Sequence, residues 1–433
     1  MNKNNFKKRC DYLCQQIGEC GAAILFASSK KERNKKIFYP YRQDSNFYYL
    51  TGFTEPQAIA VFIPKRPEGE FILFNRENDP VKELWRGKRA GQLGACNDYG
   101  ADQAFSIDLA ETMLPQLIAG CQKIYCNFNK ENLAYVANLL EQLKRSSSAM
   151  ETAQLINLDV LIHEMRLCKD EEEMVLLKKA SNIIAEAQRK IMCTCKADMC
   201  EYELEAEILY ECVKSGARFQ SFPSIVAGGA NACILHYEDN NAVLRNGELV
   251  LIDCGAEYEF YASDITRTIP INGRFNLEQK IIYQAVLDVQ LAVIKYIKPG
   301  VKWIELQQLA EKVITQKLLE IGLLQGNLEE LIAQQAFLPF FMHKIGHWIG
   351  LDVHDVGWYK SEEQWRELKP NMLMTIEPGI YIADNIPNID FKWKNIGIRI
   401  EDTVLITEKG CEVLTGAAPK AIDEIESLMK SFK

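Results

Sequence analysis

The sequence predicts an α/β (α+β) protein built from two domains, about 1–168 and about 169–433. Three observations carry this. Up to about residue 168, short apolar runs of strand length alternate with segments of helical periodicity. At KDEEEMVLLKKASNIIAEAQRKIM (169–192) the composition shifts to one long helix. Beyond residue 217 strands and turns dominate, with acids placed at strand ends. A length of 433 residues exceeds one ordinary core and agrees with two units.

Composition narrows the function classes. A 48% apolar and 25% charged chain is of the soluble globular type. A net charge of −9 argues against a nucleic-acid partner. No apolar run has the length of a membrane span, and the polar start MNKNNFKKRCDYLCQQIGEC does not read as a signal peptide. The fourteen cysteines are scattered without a CxxC pair, so reduced thiols and a cytoplasmic location are expected. Cys193 and Cys195 are the closest pair and a weak basis for a metal site.

Taken in order, Phe6, Tyr12, Leu13 and Ile17 fall at roughly helical spacing over 6–18, ended by Gly18 and Gly21. AAILFA (22–27) is a buried strand, and SKKERNKK (29–36) a solvated loop. DSNFYYLTGFTEPQAIAVFIP (44–64) reads as strand-like runs with a Gly/Pro break, followed by the strand GEFILFN (69–75). KELWRGKRAG (82–91) reads as a helix packed by Trp85. KIYCNF (123–128) is a strand and NLAYVANLLEQLKR (132–145) an amphipathic helix, before the polar connector SSSAMETAQ.

In the second domain Asp170 can cap the long helix, with Glu171, Glu172 and Glu173 in its first turn opposing the helix dipole. A helix over about 201–215 stops at Gly216. Its acids Glu201, Glu203, Glu205 and Glu207 read as a solvent-facing row. Further helices are expected at about 277–297, 303–321 and 419–431, and strands at MLMTIEPGIYI (372–382) and IGIRIEDTVLIT (396–407).

The chemistry concentrates elsewhere. HKIGHWIGLDVHDVG (343–357) holds His343, His347 and His354, three of five histidines, broken by Gly346, Gly350 and Gly357 into a loop. Asp253 ends the apolar strand GELVLID, on the face of Leu249 and Leu251, and Asp264 follows where a hairpin would return it. Glu377 closes MLMTIE before Pro-Gly, and Glu401 closes GIRIE. One such acid usually caps a turn or meets solvent. Four of them with a glycine-flanked histidine form a set that would repel itself unless cations were bound. Two divalent cations offset that charge, and oxygen donors with one imidazole suit Mn²⁺, Zn²⁺, Co²⁺ or Fe²⁺.

DCGAEYEFYASDITRT, HKIGHWIGLDVHDVG, TIEPGIYI and GIRIEDTVLIT resemble the metal-binding motifs of the pita-bread metallopeptidases. YPYRQDSNFYYLTGF, LFNRENDPVKELWRGKR and HEMRLCKDEEEMVLL are similar to the bacterial aminopeptidase P (Xaa-Pro aminopeptidase) family, so the likeness spans nearly the whole chain. It implies an N-terminal α/β domain followed by a pita-bread domain. It also implies a dinuclear centre, Mn²⁺ first among candidates, and hydrolysis of the bond between an N-terminal residue and a following proline. Asp253 would bind one metal, Asp264 and Glu401 would bridge, and His347 and Glu377 would bind the second. Glu377 would also carry a proton from water to the leaving nitrogen. His236, in ILHY, and His354 would face the scissile carbonyl, although His236 on its apolar run alone reads as a core residue. His343 would line the proline pocket, and Arg399 would orient a ligand carboxylate. The N-terminal domain would wall the cleft and join subunits into a homodimer or homotetramer. Lys36 and Lys344 depart from the family pattern. The rivals are prolidase, restricted to dipeptides, and a binding protein that keeps the shell without catalysis.

Overall fold

The computed structural model describes residues 3–146 and 153–431. Two compact units divide the chain, Met1–Arg166 and Leu167–Lys433.

The first unit holds a six-stranded sheet of β1 (Gly21–Phe26), β2 (Ile59–Phe62), β3 (Phe71–Asn75), β4 (Gln103–Ser106), β5 (Lys123–Cys126) and β6 (Gln154–Asn157), in the order β4-β3-β2-β1-β5-β6. β1 lies between an antiparallel neighbour, β2, and a parallel one, β5. Both of its faces are covered, which is why GAAILF reads as an unbroken apolar run. The helix Lys3–Ile17 ends before Gly18, whose φ of +75° is open to glycine at little cost.

Three expectations fail in this unit. The stretch read as strand at 45–51 is a helix, Ser45–Thr51. Asp44 caps it by accepting from Phe47 N, and Gly52 closes it in the left-handed region. All seven of its residues are buried, so no polar face was present to betray the 3.6-residue period. Within the expected loop 29–36 begins a small exposed hairpin, Glu32–Asn34 with Ile37–Phe38. The helix at Trp85 forms over Pro80–Arg86, but Trp85 is 79% exposed and does not anchor it. A helix at Asp159–Leu167 was not anticipated. The connector after the helix Lys130–Ser146 lies largely outside the described residues.

The second unit opens with the helix Glu171–Thr194, closed at its start by the reciprocal bonds of Asp170 and Glu173. Its strands that frame the acids are β7 (Ile225–Gly228), β8 (Leu249–Cys254), β9 (Ile265–Pro270), β10 (Leu373–Ile376), β11 (Gly379–Ile382), β12 (Ile396–Arg399), β13 (Asp402–Ile406) and β14 (Cys411–Val413). They form the antiparallel sets β7-β8-β9, β10-β13-β14 and β11-β12. The helices Leu277–Tyr296, Trp303–Ile321 and Ile422–Lys430 fall as expected. One apolar cluster joins sheets to helices through residues such as Ile184, Val286, Ile314, Ile252, Ile376 and Ile398. Burying each such side chain contributes roughly 1.5–3 kcal/mol. Among the described residues no helix is long and apolar enough to cross a membrane.

In the acidic row on the helix Glu201–Lys214, Glu203 is exposed as expected, and Glu201 is a further correction. Glu201 is fully buried, with donors on both carboxylate oxygens.

Candidate metal centre

The strand frame brings the acids to one place. β8 and β9 pair so that Asp253 stands opposite Thr266, and Asp264 immediately precedes β9. Glu401 sits between β12 and β13. Its N–H donates to Thr266 O at 3.0 Å, and Thr403 Oγ1 donates to Asp264 O at 2.9 Å. Glu377 follows β10 directly, and its N–H donates to Ile345 O at 2.8 Å. The histidine loop is drawn against β10 at Gly346, where a Cβ would lie 1.9 Å from Thr375 O. Only glycine permits that approach, and His347 follows it, with Thr375 N donating to His347 O at 2.9 Å.

Ligand atoms of Asp264, His347 and Glu401 all lie within 4.8 Å of one another. His347 Nε2 is 3.4 Å from Asp264 Oδ2 and 3.7 Å from Glu377 Oε1. His347 Nδ1 lies 3.0 Å from Trp348 O, a contact that places the proton on Nδ1 and leaves the Nε2 lone pair facing the acids. Asp253 Oδ1 and Asp264 Oδ1 are buried without a hydrogen-bond partner. Buried carboxylate oxygens left bare are costly, and this donor set of oxygens plus one imidazole fits divalent metal ions.

The electrostatics agree. Burial pushes Asp264 well above the usual carboxylate range, and the charges of Asp253 and Glu377 add to it. Burial likewise raises Glu401 well above its ordinary value, with Asp264 and Glu377 next in effect. Burial raises Glu377 as well, against the opposing charges of His347 and Arg399.

A hydrogen-bonded chain backs this group. Arg399 donates through Nη2 to Asp253 Oδ2 at 2.7 Å, through Nη1 to Tyr381 Oη at 2.8 Å, and through Nε to Thr266 Oγ1 at 3.3 Å. Thr266 Oγ1 in turn donates to Glu401 Oε2 at 2.8 Å. Tyr381 Oη lies 2.9 Å from His343 Nε2, while His343 Nδ1 lies 2.8 Å from Lys344 O. That pattern suits a neutral imidazole with its proton on Nδ1. Burial first, and then the Arg399 charge, lowers His343 to about 4. Burial and the neighbouring His347 also lower His354, whose ring stands edge-on to His347 at 4.4 Å between centroids.

All nine residues singled out from the sequence line one cavity of about 610 Å³: His236, Asp253, Asp264, His343, His347, His354, Glu377, Arg399 and Glu401. Its apolar wall includes Phe222, Leu235, Val353, Trp303, Tyr359 and Trp365. Trp303 stacks with Trp365 and meets Tyr359 edge-on. Sequence reading missed Thr266, Tyr381 and this aromatic wall. Thr266 was reachable, standing two residues after Asp264 at the start of a strand. Tyr381 was not, because its partners come from another strand, at Arg399, and from the histidine loop, at His343.

The cavity, its acids and its strand frame define a metallopeptidase-type centre, and residues 175–408 match metallopeptidase family M24. The chain belongs to that family. Residues 6–125 match the aminopeptidase P N-terminal domain, so the expected order of an N-terminal α/β domain and a pita-bread domain holds. The chain is similar to the Xaa-Pro aminopeptidase of Escherichia coli (strain K12), 41% identical over 436 residues that cover 99% of this chain and 98% of that protein. It is 33% identical to Xaa-Pro aminopeptidase 3 of Homo sapiens over 95% of this chain and 82% of that one. Among solved structures, Pseudomonas aeruginosa aminopeptidase PepP matches with a TM-score of 0.98 and 45% identity, covering 100% and 99% of the two chains. Zn-substituted E. coli aminopeptidase P in complex with product matches at 0.97 and 40%, with the same coverage.

Proposed function

We propose that this protein is a metalloaminopeptidase that hydrolyses the bond between an N-terminal residue and a following proline. The observation that carries the reading is the meeting of four acids and His347 with His236, His343, His354 and Arg399 in one cavity, in a chain alike end to end to Xaa-Pro aminopeptidases. Asp253, Asp264, His347, Glu377 and Glu401 would hold two divalent cations, Mn²⁺ being the expected ion and Zn²⁺, Co²⁺ and Fe²⁺ suited to the same donors. When bound, such ions supply Lewis acidity and make water acidic enough to attack near neutral pH.

The chain's own groups do the rest. Glu377 takes a proton from water and passes it to the leaving nitrogen, a role helped by burial, which raises its carboxyl above the ordinary value. His236 and His354, both exposed at the cavity, steady the scissile carbonyl as charge develops on it. The proline nitrogen bears no hydrogen, so a proline site recognises ring shape. A neutral His343, edge-on to the rings of Phe341 and Tyr381, suits that task. Arg399 orients Asp253.

We place the domain boundary near residue 168 and the protein in the cytoplasm. Its fourteen free cysteines support that compartment. Leu84 and Trp85, exposed on one short helix, support a homodimer or homotetramer.

The deciding assay offers the metal-loaded protein an Xaa-Pro-Yaa tripeptide beside an Xaa-Pro dipeptide. Cleavage of the tripeptide is expected. Cleavage of the dipeptide alone would make the protein a prolidase, and cleavage of neither would make it a non-catalytic binding protein.

A further inference from the structure

Glu201 opens its helix and is fully buried. Its Oε1 accepts from Gly228 N at 2.7 Å and from Asn231 Nδ2 at 3.0 Å. Its Oε2 accepts from Tyr237 Oη at 2.8 Å and from Ala242 N at 2.9 Å. One carboxylate thus ties together both ends and the middle of segment 228–242. A buried carboxylate satisfied by four donors is stable only while all four stay in place, so the charge fixes the shape of that segment. Asn240 adds to the hold, accepting from Val226 N at 2.9 Å and donating to Ser224 O at 2.8 Å.

The segment carries His236. Its ring is exposed at the cavity and makes no hydrogen bond to a described residue, so its placement depends on the backbone beneath it. The next residue is Tyr237, whose ring is buried against Ile225, Leu251 and Tyr381 and whose hydroxyl ends on Glu201. His236 closes a turn at 235–236 and Tyr237 follows it directly. Anchoring Tyr237 inward therefore fixes the backbone from which His236 faces the cleft.

We propose that Glu201 and Tyr237 are positioning residues for His236, acting through the shared backbone of 236–237. The proposal rests on the reading of His236 as a substrate-facing group.

The test uses the metal-loaded full chain and the variants Tyr237→Phe, Glu201→Gln, His236→Ala and the double Tyr237→Phe/His236→Ala, each checked for a normal melting transition. On an Xaa-Pro-Yaa tripeptide, Tyr237→Phe is expected to lower kcat about tenfold with KM changed less than about twofold. In the His236→Ala background the same change should cost less than about twofold. An equal loss in both backgrounds would mean that the hydroxyl does not act through His236, and would overturn the proposal.

A second readout needs no turnover. The chain has only five histidines, so ¹³Cε1-histidine spectra of the diamagnetic Zn²⁺-loaded protein resolve each ring, with His236 assigned by its loss in His236→Ala. Tyr237→Phe and Glu201→Gln should shift or broaden the His236 line and leave His163 unmoved. A His236 line unchanged in both variants would sink the proposal. If the wild type cleaves no Xaa-Pro peptide, the functional reading fails by itself and the spectra alone decide the positioning role.

Discussion

Arg399 grips Oδ2 of Asp253 at 2.7 Å while Oδ1 of the same carboxylate stays buried without a partner. The guanidinium fixes the acid's orientation, and on the proposed reading the bare oxygen would face a cation. Arg399→Lys keeps the charge but loses the planar fork that also reaches Tyr381 and Thr266. Metal affinity and kcat are expected to fall about 10- to 100-fold, read by metal titration and peptide assay. Unchanged affinity would show that Asp253 needs no such partner.

Asp264→Ala should bring turnover to background and lower bound metal while the far-UV spectrum stays that of the wild type. Elemental analysis of the purified variant checks the metal content. Normal turnover would remove Asp264 from the centre. In metal-free protein the same substitution deletes one of several repelling acids, so its melting temperature should not drop below that of metal-free wild type.

Stability of the metal-free protein should decline as pH rises. Asp264, Glu401 and Glu377 are all raised from ordinary values of 3.8, 4.5 and 4.5. Between the ordinary and the raised values the folded chain binds more protons than the unfolded chain. Their contribution is therefore fully present below the ordinary values and lost as pH climbs through the raised ones. Metal binding needs the ionised forms and gains over the same range. The gap between loaded and EDTA-dialysed melting temperatures should widen from pH 5 to 8, and a constant or narrowing gap would contradict this assignment.

Lys169 and Asp355 form a pair 3.0 Å apart, with both side chains 1% exposed. Asp355 belongs to the histidine loop, and its N–H donates to Trp348 O at 2.9 Å. Lys169→Met removes the cation beside a buried carboxylate and is expected to cost about 3–5 kcal/mol in denaturant unfolding. Adding Asp355→Asn removes that carboxylate's charge and should recover most of that loss. Equal destabilisation in the single and double variants would mean that packing, not the charge, dominates.

Much of this architecture was readable before any coordinates. The long helices at 171–194, 277–296 and 303–321 carry their own periodicity and caps, and acids that end apolar runs are local patterns. Ser45–Thr51 was misread because total burial erases the polar face that marks a helix. Glu201 was misread because a row of acids looks like a wetted surface, while its donors come from a segment that no local pattern links to it. The same holds for Tyr381, whose value lies in touching both Arg399 and His343. Trp85 failed in the opposite sense, a large ring where burial was expected and solvent was found.

The ties Glu401 N to Thr266 O, Thr403 Oγ1 to Asp264 O, and Gln290 Nε2 to Ile376 O and Ile400 O join the roots of the acids to one another. A mounting locked at its base would set the span between oxygens ahead of the proposed ions. Discrimination among ions would then fall to ionic radius and preferred ligand number.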